Sequence, residues 1–389
     1  MIADPLFLAC ITLGPLVYWL LPARVRNGFL VLLSVGYLSS IALWPTLAIV
    51  GWTTLFFWLA PKAKSASRPR VVTGTLLLAI LGWMALFKYV PRLVDAIATT
   101  SLEAQLLVPI GISYYAFKLV HYAIEVGRGR IPEHRLSDAL VWATLFPAFS
   151  AGPIERFDHF LAQRHERPDA ELVAAGMTRI LHGLVKKVFF ADLILLSLAG
   201  SPTELVNHLD TTSTLSVWGF CFVMYLWAYL DFSAYSDIAI GASKLFGIEL
   251  MENFDWPILA GNLSQFWKRW HMTLAGWCQA YVYLPSVGLT RNPYLATYAT
   301  FLVMGLWHGA ALNWLFWGLF HGTGVATNLT WNRYKRRRKW HKWMDKGAYA
   351  WVGVLPTTLF VTAAASFTTT VELGGWAGLR VFAKLFFIG

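Results

Sequence analysis

Three of the ten histidines in this 389-residue chain sit where an imidazole could do proton chemistry rather than face water. His308 lies in Met304-Gly-Leu-Trp-His-Gly-Ala310, His321 in Trp317-Gly-Leu-Phe-His-Gly322, and His271 in Gln265-Phe-Trp-Lys-Arg-Trp-His-Met-Thr-Leu274. A neutral imidazole held out of water can take the proton of a hydroxyl as general base. The glycines beside His308 and His321 leave room for backbone or ligand to come close. The plain alternative at each position is a histidine that only bonds a neighbouring helix. Metal chemistry is not expected: His308 and His321 are 13 residues apart, about 220° around one straight helix and so on different faces. No Gly-x-Ser-x-Gly elbow supports Ser-His-Asp hydrolysis either.

Other polar groups lie in the same apolar surroundings. Tyr229-Leu-Asp-Phe-Ser-Ala-Tyr-Ser-Asp237 carries two carboxylates as well as hydroxyls, and for Asp231 and Asp237 both ligand binding and interhelical hydrogen bonding stay open. Gly152-Pro-Ile-Glu-Arg156 reads as a turn with an ion pair in reach. Lys268-Arg269, just before His271, suits an anionic ligand such as a pyrophosphate or a phosphopantetheine arm. For Lys186-Lys187 the preferred reading is snorkelling to a membrane interface.

The elements that must hold these groups are set by composition. The chain is 57% hydrophobic and 14% charged, against about 25% charged in soluble domains, and its mean hydropathy is +0.52. Near-continuous apolar blocks exclude an alternating barrel and predict an all-α polytopic membrane protein with about ten to twelve crossings. The block 28–60 is too long for one span and is expected to turn at Pro45. The block 294–330 reads as continuous. The stretches 131–171 and 251–291 mix charge, Trp, Pro and Gly, and are expected to be interfacial or re-entrant and to line something. The net charge of +11 is read as membrane orientation, not nucleic-acid binding. Basic groups at Arg24/Arg26, 61–70, Arg128/Arg130 and 333–342 mark the cytoplasmic side, with the N-terminus outside. Cys10, Cys221 and Cys278 read as core thiols. The first apolar block is expected to be a retained helix. Residues 1–389 are expected to form a single membrane domain with no soluble extramembrane domain.

Six stretches, in order, resemble the membrane-bound O-acyltransferase superfamily, above all its bacterial branch that acylates cell-surface polymers. They are Val108-Pro-Ile-Gly-Ile-Ser-Tyr-Tyr-Ala-Phe-Lys118, Phe146-Pro-Ala-Phe-Ser-Ala-Gly-Pro-Ile-Glu-Arg156, Asp231-Phe-Ser-Ala-Tyr-Ser-Asp-Ile-Ala-Ile-Gly241, Phe246-Gly-Ile-Glu-Leu-Met-Glu-Asn-Phe254, Phe266-Trp-Lys-Arg-Trp-His-Met-Thr-Leu274 and Gly305-Leu-Trp-His-Gly309. They cover roughly 105–325. The resemblance implies a ring of about 11 tilted helices around a thin core with a through-membrane tunnel. It maps the family histidine onto His308 as general base. It maps the second family position, an Asn, Asp or His, onto His271, 37 residues upstream, which would orient the carbonyl or stabilise an oxyanion. The implied substrate-binding set is Trp267, Lys268, Arg269, Trp307, Gly309, His321, Asp231 and Tyr235.

The same resemblance implies acetyl-CoA as donor, docking near Arg269 and 333–342, with no bound cofactor. The alternative donor is a D-alanyl group on a phosphopantetheine carrier protein, of which Lys118 and Glu125 are reminiscent. The implied acceptor is a hydroxyl of an exported polysaccharide, peptidoglycan or teichoic acid. It is reached through an extracytoplasmic transferase or esterase-like partner at the bacterial cytoplasmic membrane. Direct transfer and an acyl-enzyme route both remain open. Two departures stand out. Trp277-Cys-Gln-Ala-Tyr281 has Gln279 and Ala280 where the branch has Arg-Asp, and a Trp-x-x-Phe-Arg motif is not recognisable in 350–389. A transporter or flippase would explain buried charge without chemistry, but predicts two similar halves, and no such repeat is visible.

Overall fold

The computed structural model describes residues 4–91, 94, 111–344 and 349–386. The motif residues Val108, Pro109 and Ile110 lie outside them. Among the described residues every regular element is helical, apart from an isolated bridge between Arg164 and Ile248. The protein is an all-α membrane protein. Three helical stretches are long and apolar enough to cross a bilayer by themselves: Leu43–Ser65, Pro69–Lys88 and Thr214–Leu245.

The chain divides into two compact units. Unit 1 holds residues 1–183 and 235–252, and unit 2 holds 184–234 and 253–389.

Unit 1 contains α1 (Pro5–Leu20), α2 (Ala23–Ile41), α3 (Leu43–Leu59), α4 (Pro69–Lys88), α5 (Ile112–Gly127), α6 (Leu136–Thr144) and most of α7 (Ala170–Leu184). Its second segment is the C-terminal part of α8 (Thr214–Leu245) and the loop after it. Pro5 and Pro69 open α1 and α4, where a missing N–H costs nothing, and the Asp4 carboxylate caps α1 at the Leu6 amide. The block 28–60 does turn back, but the break is at Ala42. Pro45 sits inside the first turn of α3 instead, where proline is tolerated. The core of this unit is aromatic, with Phe7, Tyr37 and Phe146 in mutual edge or tilted contact at 5.4–5.8 Å.

Unit 2 contains α9 (Met272–Cys278), α10 (Pro293–His308), α11 (Leu312–Arg337), α12 (Val354–Thr369) and α13 (Gly375–Leu385). The block 294–330 is therefore not continuous: it breaks after His308, and α10 and α11 form an antiparallel hairpin. Asn292 caps α10 by accepting from the amides of Tyr294 and Leu295, with Pro293 at its first position. Small residues let the hairpin close. A Cβ at Gly305 would collide with the Trp314 carbonyl oxygen, and one at Gly318 would lie 2.7 Å from the Phe301 carbonyl oxygen. Such close backbone approach is how helices gain packing in lipid, where water supplies no drive. Cys10, Cys221 and Cys278 are buried thiols.

Candidate active site in unit 2

The break after His308 changes what spacing alone implied. His308 ends α10 and His321 lies on α11, so the straight-helix angle between them does not apply. The hairpin brings both against one indole: Trp317 is 5.5 Å from the His308 ring and 4.6 Å from the His321 ring, centroid to centroid.

The cluster continues in both directions. Trp314 stacks on His308 at 4.3 Å and 12°. Trp307 lies 4.7 Å from His308 and 5.9 Å from His271. Trp267 stands 5.1 Å from His321, edge on. Phe232 of α8 meets His271 at 4.8 Å and 90°. The rings thus run His271, Trp307, His308, Trp317, His321, Trp267 as one contiguous series within unit 2. His271 and His321 are each 2% exposed, while His308 is half-buried.

The backbone holds His271 in place by force. It is the residue before α9 and adopts φ 42°, ψ 54°, the left-handed region that side chains other than glycine rarely occupy. Its Nδ1 is 3.0 Å from Asn253 Oδ1, which also accepts from Thr273 Oγ1 at 2.9 Å. An amide oxygen can only accept, so the proton is on Nδ1, and Nε2 of the neutral ring carries the lone pair. In this tautomer Nε2 is an acceptor.

Of the residues singled out from sequence, His271, His308, His321, Trp267, Trp307 and Gly309 are brought together. Lys268 and Arg269 share the segment before His271, and Arg269 lies 3.9 Å from Asp255. Asp231 bonds Lys187 Nζ at 2.6 Å, which also reaches Asp192 at 2.9 Å. Lys187 is therefore an interhelical ion-pair partner. Tyr235 belongs to unit 1, where its hydroxyl meets Ser150 Oγ at 2.5 Å. Also in unit 1, Lys118 donates to the Trp142 carbonyl at 3.0 Å, and Glu125 accepts from Arg128 and Arg130. Glu155 of the 152–156 turn accepts from His159 and from the Met251 amide. Among the described residues no three His, Cys, Asp or Glu stand together as a metal site.

Asn253, Trp314, Trp317 and Phe232 were not anticipated. Trp314 and Trp317 could have been: with His321 they fall at i, i+3 and i+7 of one helix face. Asn253 lies in the matched stretch 246–254, but nothing in the sequence sets it apart from Glu249 and Glu252 there.

A helical membrane protein with a buried imidazole–indole cluster at a helix hairpin is the class that fold and site define. The chain belongs to the membrane-bound O-acyltransferase family, whose model matches residues 99–366. It is similar to the probable alginate O-acetylase of Azotobacter vinelandii, 34% identical over 83% of this chain and 66% of the relative. It is 34% identical to the corresponding protein of Pseudomonas aeruginosa, over 79% of this chain and 62% of the relative. The teichoic acid D-alanyltransferase of Bacillus subtilis is 28% identical over 59% of this chain and 61% of the relative. The chain thus spans somewhat under two thirds of the length of the alginate relatives it matches.

Proposed function

We propose that this protein is a membrane O-acyltransferase that passes an acyl group, acetyl from acetyl-CoA, to a hydroxyl of a cell-surface polysaccharide or of an extracytoplasmic partner that carries it onward. The observation that carries the reading is the hairpin placement of His308, half-buried and clamped between Trp307 and Trp314, beside a His271 whose tautomer is fixed by Asn253. The alginate relatives favour acetyl over D-alanyl: they match at higher identity and over more of the chain.

In this mechanism Lys268 and Arg269 attract the phosphates of the donor. His271, held by Asn253, keeps Trp307 placed against the His308 ring. The His308 imidazole takes the hydroxyl proton as the oxygen attacks the thioester carbonyl. The carbon–sulfur bond then breaks, and the leaving thiolate takes the proton back from the imidazolium. The indoles exclude water, which would otherwise compete as acyl acceptor.

The test is transfer of label from radiolabelled acetyl-CoA, or from a D-alanyl carrier, by the protein in liposomes with its acceptor. Wild type is expected to transfer acetyl, and His308→Ala to fold and bind donor but not transfer. Transfer by His308→Ala at the wild-type rate removes the base role. Transport of solute with no transfer of either donor replaces the enzyme reading with the transporter one.

A further inference from the structure

The C-terminal end of α11 carries a dense positive cluster, Arg333 to Lys342, and a cavity runs from it along the helix. The cavity measures about 510 Å³; its walls include Phe320, Trp331, Val352, Pro356 and Phe360, and Lys335 stands at its basic end. A second cavity of about 220 Å³ shares Lys335 and adds Arg336 and His341. Neither lining contains an Asp or Glu. Nδ1 of His341 is enclosed and has no hydrogen-bond partner among the described residues. A volume of this size is in the range of small-ligand sites, and its two ends differ sharply in polarity.

Length and opening decide between occupants. Phe320 to Lys335 is 15 residues of one helix, about 22 Å at 1.5 Å per residue. One leaflet contributes about 15 Å of hydrocarbon, so a single acyl chain fits with its headgroup at the basic end. Thr323 and Thr327, on the same wall, are exposed. The slot is therefore open along this face of the helix.

We infer that this is a binding site for an anionic phospholipid, with the phosphate held by Lys335, Arg336 and His341 and one acyl chain along the Phe320–Phe360 slot. The lipid is a resident ligand and not a reactant. The inference stands apart from the acyl-transfer reading, and it assigns Lys335 and Arg336 to lipid, where the family resemblance had implied donor docking near 333–342.

The test follows the unfolding temperature of the purified, delipidated full chain by tryptophan fluorescence. Phosphatidylglycerol, phosphatidylcholine and CoA are titrated separately, with Arg336→Gln and Thr327→Trp as variants, both at exposed positions. Phosphatidylglycerol is expected to stabilise at lower concentration than phosphatidylcholine. Arg336→Gln should raise the half-effect concentration of phosphatidylglycerol roughly fivefold, in line with one surface charge on an anionic headgroup. Thr327→Trp, which fills the slot, should weaken both lipids. Unfolding temperatures without lipid should match wild type. Equal half-effects of the two lipids, no change in either variant, or displacement of phosphatidylglycerol by CoA would each overturn the assignment.

Discussion

The histidines of the two units keep different company. In unit 1, His159 donates from Nδ1 to Glu155 at 2.5 Å, and His165 meets Glu249 at 3.0 Å. His121 accepts from the Phe157 amide at 3.0 Å, with Asp158 3.5 Å away. In unit 2, His308 and His321 lie against indole and phenyl rings, and His271 is bonded to an amide oxygen. At His159 the Glu155 carboxylate stabilises the protonated ring and ties two segments together. Rings and an amide oxygen carry no full negative charge to hold an imidazolium in place. The difference separates carboxylate-bonded from ring-packed histidines by surroundings, where residue type alone cannot.

The sharpest way to break this contrast is to exchange the loss. His308→Ala is expected to lower transfer by about 10²–10⁴-fold, the usual contribution of a general base, while His159→Gln stays within about twofold of wild type. A His159→Gln protein that folds but does not transfer would erase the distinction. Next in size is the hairpin that brings the unit 2 rings together. Gly305→Ala forces α10 off the Trp314 carbonyl and should cost about 1–3 kcal/mol, read by denaturant unfolding, with transfer falling in parallel. If stability drops and transfer per folded molecule does not, the hairpin does not set the site.

In unit 1, Arg179 bonds Asp237 at 2.9 Å and also both carboxylate oxygens of Glu252. Arg179→Met should therefore cost about 2 kcal/mol, as for other lost hydrogen bonds to charge, and leave the folded fraction active. The smallest effect is a pH dependence. The hydrogen bond to Glu155 raises His159 above the ordinary imidazole range, so the folded form holds the proton more tightly. That stabilisation is full below about pH 6.5 and is lost as pH rises through the raised value. The hydrogen bond from His165 lowers Glu249 below the usual carboxylate range, which stabilises above about pH 4.5 and is lost as pH falls through the lowered value. His159→Gln should flatten only the alkaline limb of the melting-temperature profile. The change is under about 1 kcal/mol, because the side chain is a third exposed and water screens it.

Much of this was readable from the chain. Composition forces helices in a membrane, and the Trp-His-Gly and Phe-His-Gly settings mark His308 and His321 because few sequences place an ionisable ring between glycine and apolar bulk. What periodicity does not show is where a long apolar run folds back. Ala42 is ordinary in type and gives no sign of its break, and the fold-back after His308 is closed by helix packing through Gly305 and Gly318. The same holds for the pairing of Lys187 with Asp231, 44 residues apart, and for the Asn253 anchor of His271. Each needs a tertiary neighbour that a single sequence does not reveal.

The left-handed backbone at His271 has a consequence for which residues the position can accept at all. Most L side chains lose about 1–2 kcal/mol there, whereas asparagine, aspartate and histidine are several-fold enriched in that conformation. Those three are the residues the family resemblance allows at this position. The repertoire is thus filtered by the shape of the main chain before chemistry chooses from it. A swap of His271 for asparagine keeps the turn that aims α9 at the cluster, while valine would unmake the turn along with the imidazole.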